Sequence, residues 1–188
     1  RSTQETVELL EANLHGQRIY IRAGEDIWVN GGAQIIAEAD IELDAGGDIH
    51  TEPGEQTQTS SSWNRGVSGS IGGGLLPGIG IDGTESSSQA MANKHNLLKA
   101  GSKVILRSKG GQYYKGTVVE APEIEVNAKR LVIESVVDTA DSKSWAGSIN
   151  SEGSLFASES KSSSAWVNTV SGFYGSQSVN INVDEDIE

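Results

Sequence analysis

The sequence contains no cysteine, so it forms no disulfide framework and offers no thiolate as a metal ligand or nucleophile. It also lacks any run of about 18 apolar residues, which excludes a helix that crosses a membrane. No charged segment followed by an apolar one opens the chain, so no signal peptide is predicted at its start. Because the chain begins at Arg1 rather than Met, we expect it to be part of a longer protein.

Basic residues are few, since 14 Lys and Arg stand against 26 Asp and Glu for a formal net charge of -12. A surface that binds nucleic acid needs a basic stripe that neutralises phosphates. Here the close basic pairs, such as Lys129 and Arg130, are isolated. The composition therefore predicts no nucleic-acid partner.

A short repeat is present in the first part of the chain. Residues 18–27 and 40–49 match each other 22 positions apart, with Ala-Gly over Ala-Gly and Asp-Ile over Asp-Ile. Within each copy the apolar residues alternate, as at Ile19 and Ile21, which is the pattern of a strand with one buried face. Corners that need a positive φ or a missing Cβ are predicted at the intervening glycines, which are Gly24, Gly31, Gly32, Gly46 and Gly47.

A period of about 20 to 22 residues with several short strands indicates a chain that winds as a coil, each turn stacking on the last. Equivalent residues are then predicted to stack in rows. These are Ile19 with Ile41, Ile21 with Leu43, Ile27 with Ile49, Val104 with Ile124, and Leu106 with Val126. The same offset predicts that His50 lies over Trp28 and that Arg22 forms a cross-strand ion pair with Asp44.

A longer repeat overlies the short one. Residues 41–45 return as residues 124–128, and Ser62-Trp63 returns as Ser144-Trp145. Between the coils lie two Ser- and Gly-rich excursions, at approximately residues 55–94 and 138–174. Segments this long are seldom structureless within a compact domain, so we expect β-hairpin arms.

The predicted fold is all-β. We expect a right-handed parallel β-helix, or β-solenoid, of about five coils with two β-hairpin-like excursions, forming a single fragment over residues 1–188. A fragment of a longer stack has unpaired strands at both ends, so any self-association is predicted to occur end to end or through added strands.

In its repeated units the sequence resembles the haemagglutinin repeats of two-partner-secretion exoproteins. This group contains filamentous haemagglutinin adhesins and contact-dependent growth inhibition effectors. The resemblance rests on the Ala-Gly-x-Asp-Ile units at residues 23–27 and 45–49 and on Ser-x-Ser-Trp-Ala-Gly at residues 142–147. It covers essentially the whole chain. Lys129-Arg130 departs from it by replacing a Gly-Gly corner.

The resemblance implies a virulence-related protein of a Gram-negative bacterium, secreted to the cell surface through an outer-membrane partner transporter. It implies adhesion, with a receptor or glycan on a host or neighbouring cell as partner, or assistance in delivering a toxin into a target cell. Both roles remain open at the level of sequence.

Three features of the sequence could suggest a ligand-binding site, but each is better explained as part of the fold or the surface. The G-x-G-x-x-G pattern at residues 78–83 follows a proline and leads into a serine run, which is not the strand-to-helix context of dinucleotide binding. His15, His50 and His95 lack ligand spacing, and the acidic end at residues 184–186 lacks calcium-loop spacing. We predict no metal site and no cofactor.

The alternative to a structural or adhesive function is an enzyme, because β-solenoids also include carbohydrate-active enzymes with clustered carboxylates. No convergent carboxylate set is visible in the sequence, so we predict no catalytic residue and a non-enzymatic structural or adhesive filament segment. Aromatic residues are the candidates for contacting a partner or for docking the arms. They are Trp63, Trp145, Trp166, Tyr113 and Tyr114.

Overall fold

The computed structural model describes residues 2–7, 12–70, 78–149 and 155–188. Residues 71–77 and 150–154, in the middle of the two predicted excursions, lie outside the described residues. The described chain is all-β, as predicted. Its strands are β1 Ser2–Val7, β2 Asn13–Ala23, β3 Ile27–Asn30, β4 Gln34–Ala45, β5 Ile49–Glu52, β6 Gly54–Ser70, β7 Gly78–Lys94, β8 Asn96–Ala100, β9 Lys103–Ser108, β10 Gly111–Lys115, β11 Thr117–Glu134, β12 Asp138–Ile149, β13 Leu155–Trp166 and β14 Gly172–Ile187.

The chain forms two compact units. The sheet unit comprises Arg1–Val7, Thr57–Met91 and Thr139–Trp166. The coil unit comprises Glu8–Gln56, Ala92–Asp138 and Val167–Glu188.

Parallel pairing builds the coil unit, in which β2 pairs with β4, β3 with β5, and β11 with β14. β8 pairs with the first parts of β4 and β11, and β9 pairs with their later parts, so β8 and β9 follow each other in one layer between these two long strands. The five predicted rows are confirmed, because each pair occurs in the observed register. Two rows run through the whole unit, Ile19–Ile41–Val104–Ile124–Val179 and Ile21–Leu43–Leu106–Val126–Ile181.

Apolar and polar residues alternate along the strands, so one face of each strand lies in the core. Ile41, Leu43, Val104 and Leu106 are fully buried, while charged residues that alternate with them, such as Glu42 and Arg107, pair across strands. Arg22 lies 3.2 Å from Asp44, which confirms the predicted ion pair. The core therefore consists mainly of stacked aliphatic side chains, and charged residues cover its outside.

Glycine forms the corners in two ways. Gly31 and Gly32, between β3 and β4, have φ values of 78° and 75°. Gly46 instead has an ordinary φ, but a Cβ at this position would overlap the carbonyl oxygen of Gly24 in the next layer. Both reasons given by the sequence, a positive φ and a missing Cβ, are therefore present.

Buried polar side chains lie where the chain leaves and re-enters the coil unit. Asn96 accepts the Ala33 N–H at 2.9 Å and donates to the Glu52 carbonyl oxygen at 2.8 Å. Asp138 accepts hydrogen bonds from the backbone and side chain of Asn93. Among the described residues, every buried side-chain nitrogen or oxygen has a hydrogen-bond partner, as stable burial of polar groups requires.

The sheet unit is antiparallel, with strand order β1-β6-β7-β12-β13. β1 pairs with β6, and β7 pairs with β12. Hydroxyl contacts of 2.7 Å join Ser60 to Ser88 and Ser62 to Ser86, which sets the register of β6 against β7. In the described part of the chain, no helix is long and apolar enough to cross a membrane.

Candidate partner-binding surface

Trp63 and Trp145 lie on one face of the sheet unit. Glu85 on β7 is directly opposite Trp145 on β12. On the other side of β7, the contact of Ser62 with Ser86 places Trp63 opposite the same Glu85. Since directly opposite residues of an antiparallel pair share a face, one row across three strands carries an indole, a carboxylate and a second indole.

A shallow depression of about 440 Å³ follows this row. Trp63 and Trp145 contribute exposed rings to it, with 48% and 46% of their surfaces accessible. The Arg65 guanidinium lies 5.5 Å from the centroid of the Trp63 ring, which is a cation–π distance. The remaining lining residues are Asn64, Gly83, Thr84 and Glu85.

Glycine makes room for the Trp145 ring. A Cβ on Gly83, across the strand pair, would meet the ring at 3.3 Å, and a Cβ on Gly147 would overlap it. The indole therefore lies across bare backbone instead of standing away from the sheet. This placement leaves one broad aromatic side beside opposite charges, an arrangement that can stack on a sugar ring or an apolar side chain while Arg65 and Glu85 supply polar contacts.

The opposite face of the same sheet is lined by small hydroxyl groups. Ser60, Ser62, Ser86 and Ser88 alternate with the residues of the tryptophan face and bond to one another in pairs. The sheet unit therefore presents two chemically different surfaces, one aromatic and charged and one serine-rich.

The other three candidate residues lie elsewhere. Trp166 ends β13 and is 45% exposed, but it does not line the depression. Tyr114 is a core residue whose hydroxyl donates to Gln112 at 2.8 Å and whose ring meets Phe173 edge-on. Burial raises the pKa of the Tyr114 hydroxyl far above its ordinary value, so this group remains a neutral hydrogen-bond donor.

Tyr113 belongs to an aromatic ladder on the coil unit. Trp28 stacks on His50 with ring centroids 4.1 Å apart, and His50 stacks on Tyr113 at 4.9 Å. The Trp28–His50 contact confirms the packing predicted from the 22-residue offset. The extension to Tyr113 was missed, because an excursion separates β5 from β10 in sequence although they pair directly.

The segments considered for dinucleotide or metal binding have structural roles. The G-x-G-x-x-G segment lies on β7 and not at the start of a helix. Asp186 lies 3.6 Å from Arg130, and His95 Nε2 lies 3.0 Å from the Thr169 carbonyl oxygen. Across the described residues, no group of three or more His, Asp or Glu side chains is placed to hold a metal ion.

One protein-family model, described as Hemagglutinin repeat, matches residues 1–151. The chain belongs to the hemagglutinin repeat family. No curated protein and no solved structure matched the chain. The hemagglutinin repeat family is structural and adhesive, and its members are typically secreted surface exoproteins.

The hemagglutinin repeat match contains β1 to β12 in full. Trp63 and Trp145 both fall within the matched residues, whereas Trp166 follows them. Arg65 and Glu85, which flank the indoles, were not predicted from the sequence. The sequence signal that could have found Glu85 is its position directly before the serine run of β7. Once that run is aligned with the serines of β6 and β12, Glu85 falls opposite Trp63 and Trp145. The partner-contact role of the aromatic residues stays a prediction.

Proposed function

We propose that this hemagglutinin-repeat chain is a non-enzymatic structural and adhesive segment of a large secreted bacterial surface protein. In this proposal the coil unit is the filament, and the tryptophan face of the sheet unit contacts a receptor or glycan on another cell. The observation that carries the proposal is the row of Trp63, Glu85 and Trp145. Two half-exposed indoles with adjacent charges form the kind of exposed aromatic patch that marks an interaction surface.

The finer architecture is part of the proposal. We take the coil unit to be a right-handed parallel β-helix, with residues 55–94 and 138–174 as excursions from a single solenoid over residues 1–188. The in-register parallel rows support this, as does the general preference of parallel crossovers for the right hand. An experimental structure with left-handed coils would contradict it.

Export completes the proposal. The family's typical occurrence in secreted surface exoproteins supports passage through an outer-membrane partner transporter of a Gram-negative bacterium. Row-by-row stacking suits such a route, since each new coil buries its apolar side chains against the previous one and needs no external energy source. A transporter gene beside the parent gene, and loss of surface display on its deletion, are the expected results.

Adhesion is tested with binding and cleavage measured on the same protein. The intact chain is applied to a glycan array and to epithelial and bacterial cells, alongside Trp63→Ala, Trp145→Ala and the matched control Trp166→Ala, an indole of similar exposure outside the depression. We expect loss of binding of tenfold or more for the first two variants and little change for the third. Equal binding by all four proteins contradicts the proposed face.

Cleavage is measured by the release of reducing sugars from every glycan that binds. We expect none. Product release that continues through repeated turnover would replace the adhesive proposal with a carbohydrate-active enzyme.

A further inference from the structure

The sheet unit alternates two kinds of strand. Outgoing strands, β6 and β12, carry Ser-x-Ser-Trp at residues 60–63 and 142–145. Returning strands, β1, β7 and β13, lead back into the coil unit. β1 is assigned to this kind because β2 begins with Asn13-Leu14, just as β8, which follows β7, begins with Asn96-Leu97. The sheet order is therefore returning, outgoing, returning, outgoing, returning.

Among the described strands, the same register joins a returning strand to the outgoing strand of the next hairpin at two junctions. In each pairing a serine faces the serine directly before the tryptophan, and the strands run antiparallel. The matched pairs are Ser2–Ser62, Gln4–Ser60 and Val7–Thr57 in the first junction, and Ser86–Ser144, Ser88–Ser142 and Met91–Thr139 in the second. Two independent sequences thus build one repeating interface.

β13 is a returning strand at the end of this series. Among the described strands its only hydrogen-bonded neighbour is β12, so one edge of its backbone is open. Every residue from Leu155 to Trp166 is exposed. Glu159 and Lys161 pair with each other at 2.7 Å on one face of the strand, so the charge of each is balanced within the strand.

The register of β13 can be assigned from its own contacts. The Ser164 hydroxyl donates to the Ala140 carbonyl oxygen at 3.3 Å. In the first hairpin the residue that corresponds to Ala140 is Gln58, and the serine contacts of β6 with β7 place Ala90 opposite it. Ser164 therefore corresponds to Ala90, and Ser160 corresponds to Ser86.

We propose that the open edge of β13 binds one further outgoing strand of the Ser-x-Ser-Trp type, supplied by another hairpin of this kind, in antiparallel orientation. Ser160 then lies opposite the serine before the tryptophan, and Ser162 lies opposite the serine two residues earlier. The binding mode is strand addition, in which main-chain hydrogen bonds supply affinity and the side-chain rows supply register. This inference stands on the sheet pairing alone and does not depend on the adhesive function.

A second intact copy of this chain is the wrong occupant by the same rule. The two edges of its sheet unit are β1 and β13, both returning strands, while β6 and β12 already have neighbours on both sides. Edge-to-edge pairing of two copies would place two returning strands together and would break the alternation. The occupant is therefore an outgoing strand whose own neighbour position is vacant.

Disulfide capture tests the register, because the chain contains no native cysteine. The chain carries Ser160→Cys, an exposed position, and the probe is a synthetic peptide of residues 57–65 with Ser62→Cys. Directly opposite residues in an antiparallel pair have Cβ atoms about 4.5 to 5.5 Å apart, close to disulfide geometry. The matched control peptide carries Ser61→Cys, which projects from the opposite face of the same strand.

We expect the Ser62→Cys peptide to form the disulfide at least tenfold faster than the Ser61→Cys peptide. A third peptide, residues 84–91 with Ser86→Cys, is of the returning type and is expected to react as slowly as the control. Equal rates for the three peptides, or fastest reaction of the returning peptide, would overturn the proposal. Circular dichroism of the Ser160→Cys chain, together with its unchanged glycan and cell binding, separates this outcome from failure of folding or of the adhesive function.

Discussion

Asn96 is a buried residue that connects three separate segments of the coil unit. It is fully buried, accepts the Ala33 N–H, and donates both to the Glu52 carbonyl oxygen and to the Thr117 hydroxyl. Glu52 is the last residue of β5, directly before the first excursion, and Asn96 is the first residue of β8 after it. The side chain therefore joins the two ends of the interruption.

Replacement of this amide should be costly. In Asn96→Ala the Ala33 N–H loses its acceptor, and an unsatisfied buried group costs about 1 to 3 kcal/mol. The Glu52 carbonyl keeps its hydrogen bond from the Gly31 N–H at 3.1 Å. We expect a loss of about 1 to 3 kcal/mol, measured as a lower urea midpoint. The matched control is Asn30→Ala, since Asn30 bonds the Glu52 N–H at 3.2 Å from an exposed position, and it should lose less than about 1 kcal/mol. Equal losses would show that burial of the amide does not decide its contribution.

Lys103 and Glu125 form a partly buried pair at 2.8 Å between β9 and β11. The hydrogen bond from Lys103, with a second from Asn127, lowers the pKa of Glu125 below its ordinary 4.5, and the same contact raises the pKa of Lys103 above 10.5. Arg107 and Glu123 are the other charged groups that act on the pair. Both charges are therefore held in place by the folded state at neutral pH.

The pH dependence follows from these directions. The Glu125 contribution is complete above pH 4.5 and is lost as the pH falls through its lowered pKa; the Lys103 contribution is complete below pH 10.5 and is lost as the pH rises through its raised pKa. We expect Glu125→Gln to flatten the acid limb of the stability curve, with an effect below about 1 kcal/mol for so accessible a pair. Lys103→Met should flatten it less, because Asn127 and Arg107 still lower the pKa of Glu125, and the double variant should add nothing to the effect of Glu125→Gln. An unchanged acid limb in either single variant would contradict the pairing.

At the scale of elements, two glycines isolate the cost of a positive φ. Gly31, between β3 and β4, has a φ of 78°, and Gly24, between β2 and β3, lies outside that region. A Cβ at either position meets no atom within 4 Å. Substitution by alanine therefore differs only in backbone conformation. We expect Gly31→Ala to lose about 1 to 2 kcal/mol in urea unfolding, and Gly24→Ala to be neutral or stabilising by up to about 1 kcal/mol. Similar losses at both sites would contradict this.

The coil strands could be predicted from sequence because one face of each is buried. A shift by one residue would turn Ile41 and Leu43 outward, so the alternation itself fixes which residues stack. Positions with a like residue one coil away, such as Ile19 over Ile41, carry this information within a short distance in the sequence. The Trp28–His50 contact followed from the same offset.

The pairing of β1 with β6 could not be predicted in this way. Its contacts join residues such as Gln4 and Ser60, which lie far apart in sequence, and both faces of these strands are exposed. Without a buried face, alternation does not determine register. Two serine rows, rather than an apolar pattern, set the alignment, and they became informative only when the β7–β12 pairing repeated it. Arg65 and Glu85 at the tryptophan face were missed for the same reason.

At the scale of the whole molecule, the two units differ in what stabilises them. The hydrophobic core cluster consists entirely of coil-unit residues, including Ile41, Leu106 and Val126. In the sheet unit no described side chain is buried. Cross-strand hydrogen bonds and pairs of exposed side chains each contribute only about 0.2 to 1 kcal/mol, so the sheet unit has little to oppose local opening.

Hydrogen exchange should therefore separate the units. Opening of a region with few buried apolar groups needs much less free energy than unfolding of the core. We expect backbone amides of the central sheet-unit strand β7, near Ser86, to exchange at least 100-fold faster than those of β4 and β11, near Leu43 and Val126; this ratio corresponds to about 2.8 kcal/mol at 1.4 kcal/mol per tenfold. All three strands have hydrogen-bonded neighbours on both sides, so the comparison removes any effect of edges. If Ser86 and Leu43 are equally protected, the sheet unit must be stabilised by contacts beyond its own strands, and the tryptophan face would have to be reconsidered as a packing surface.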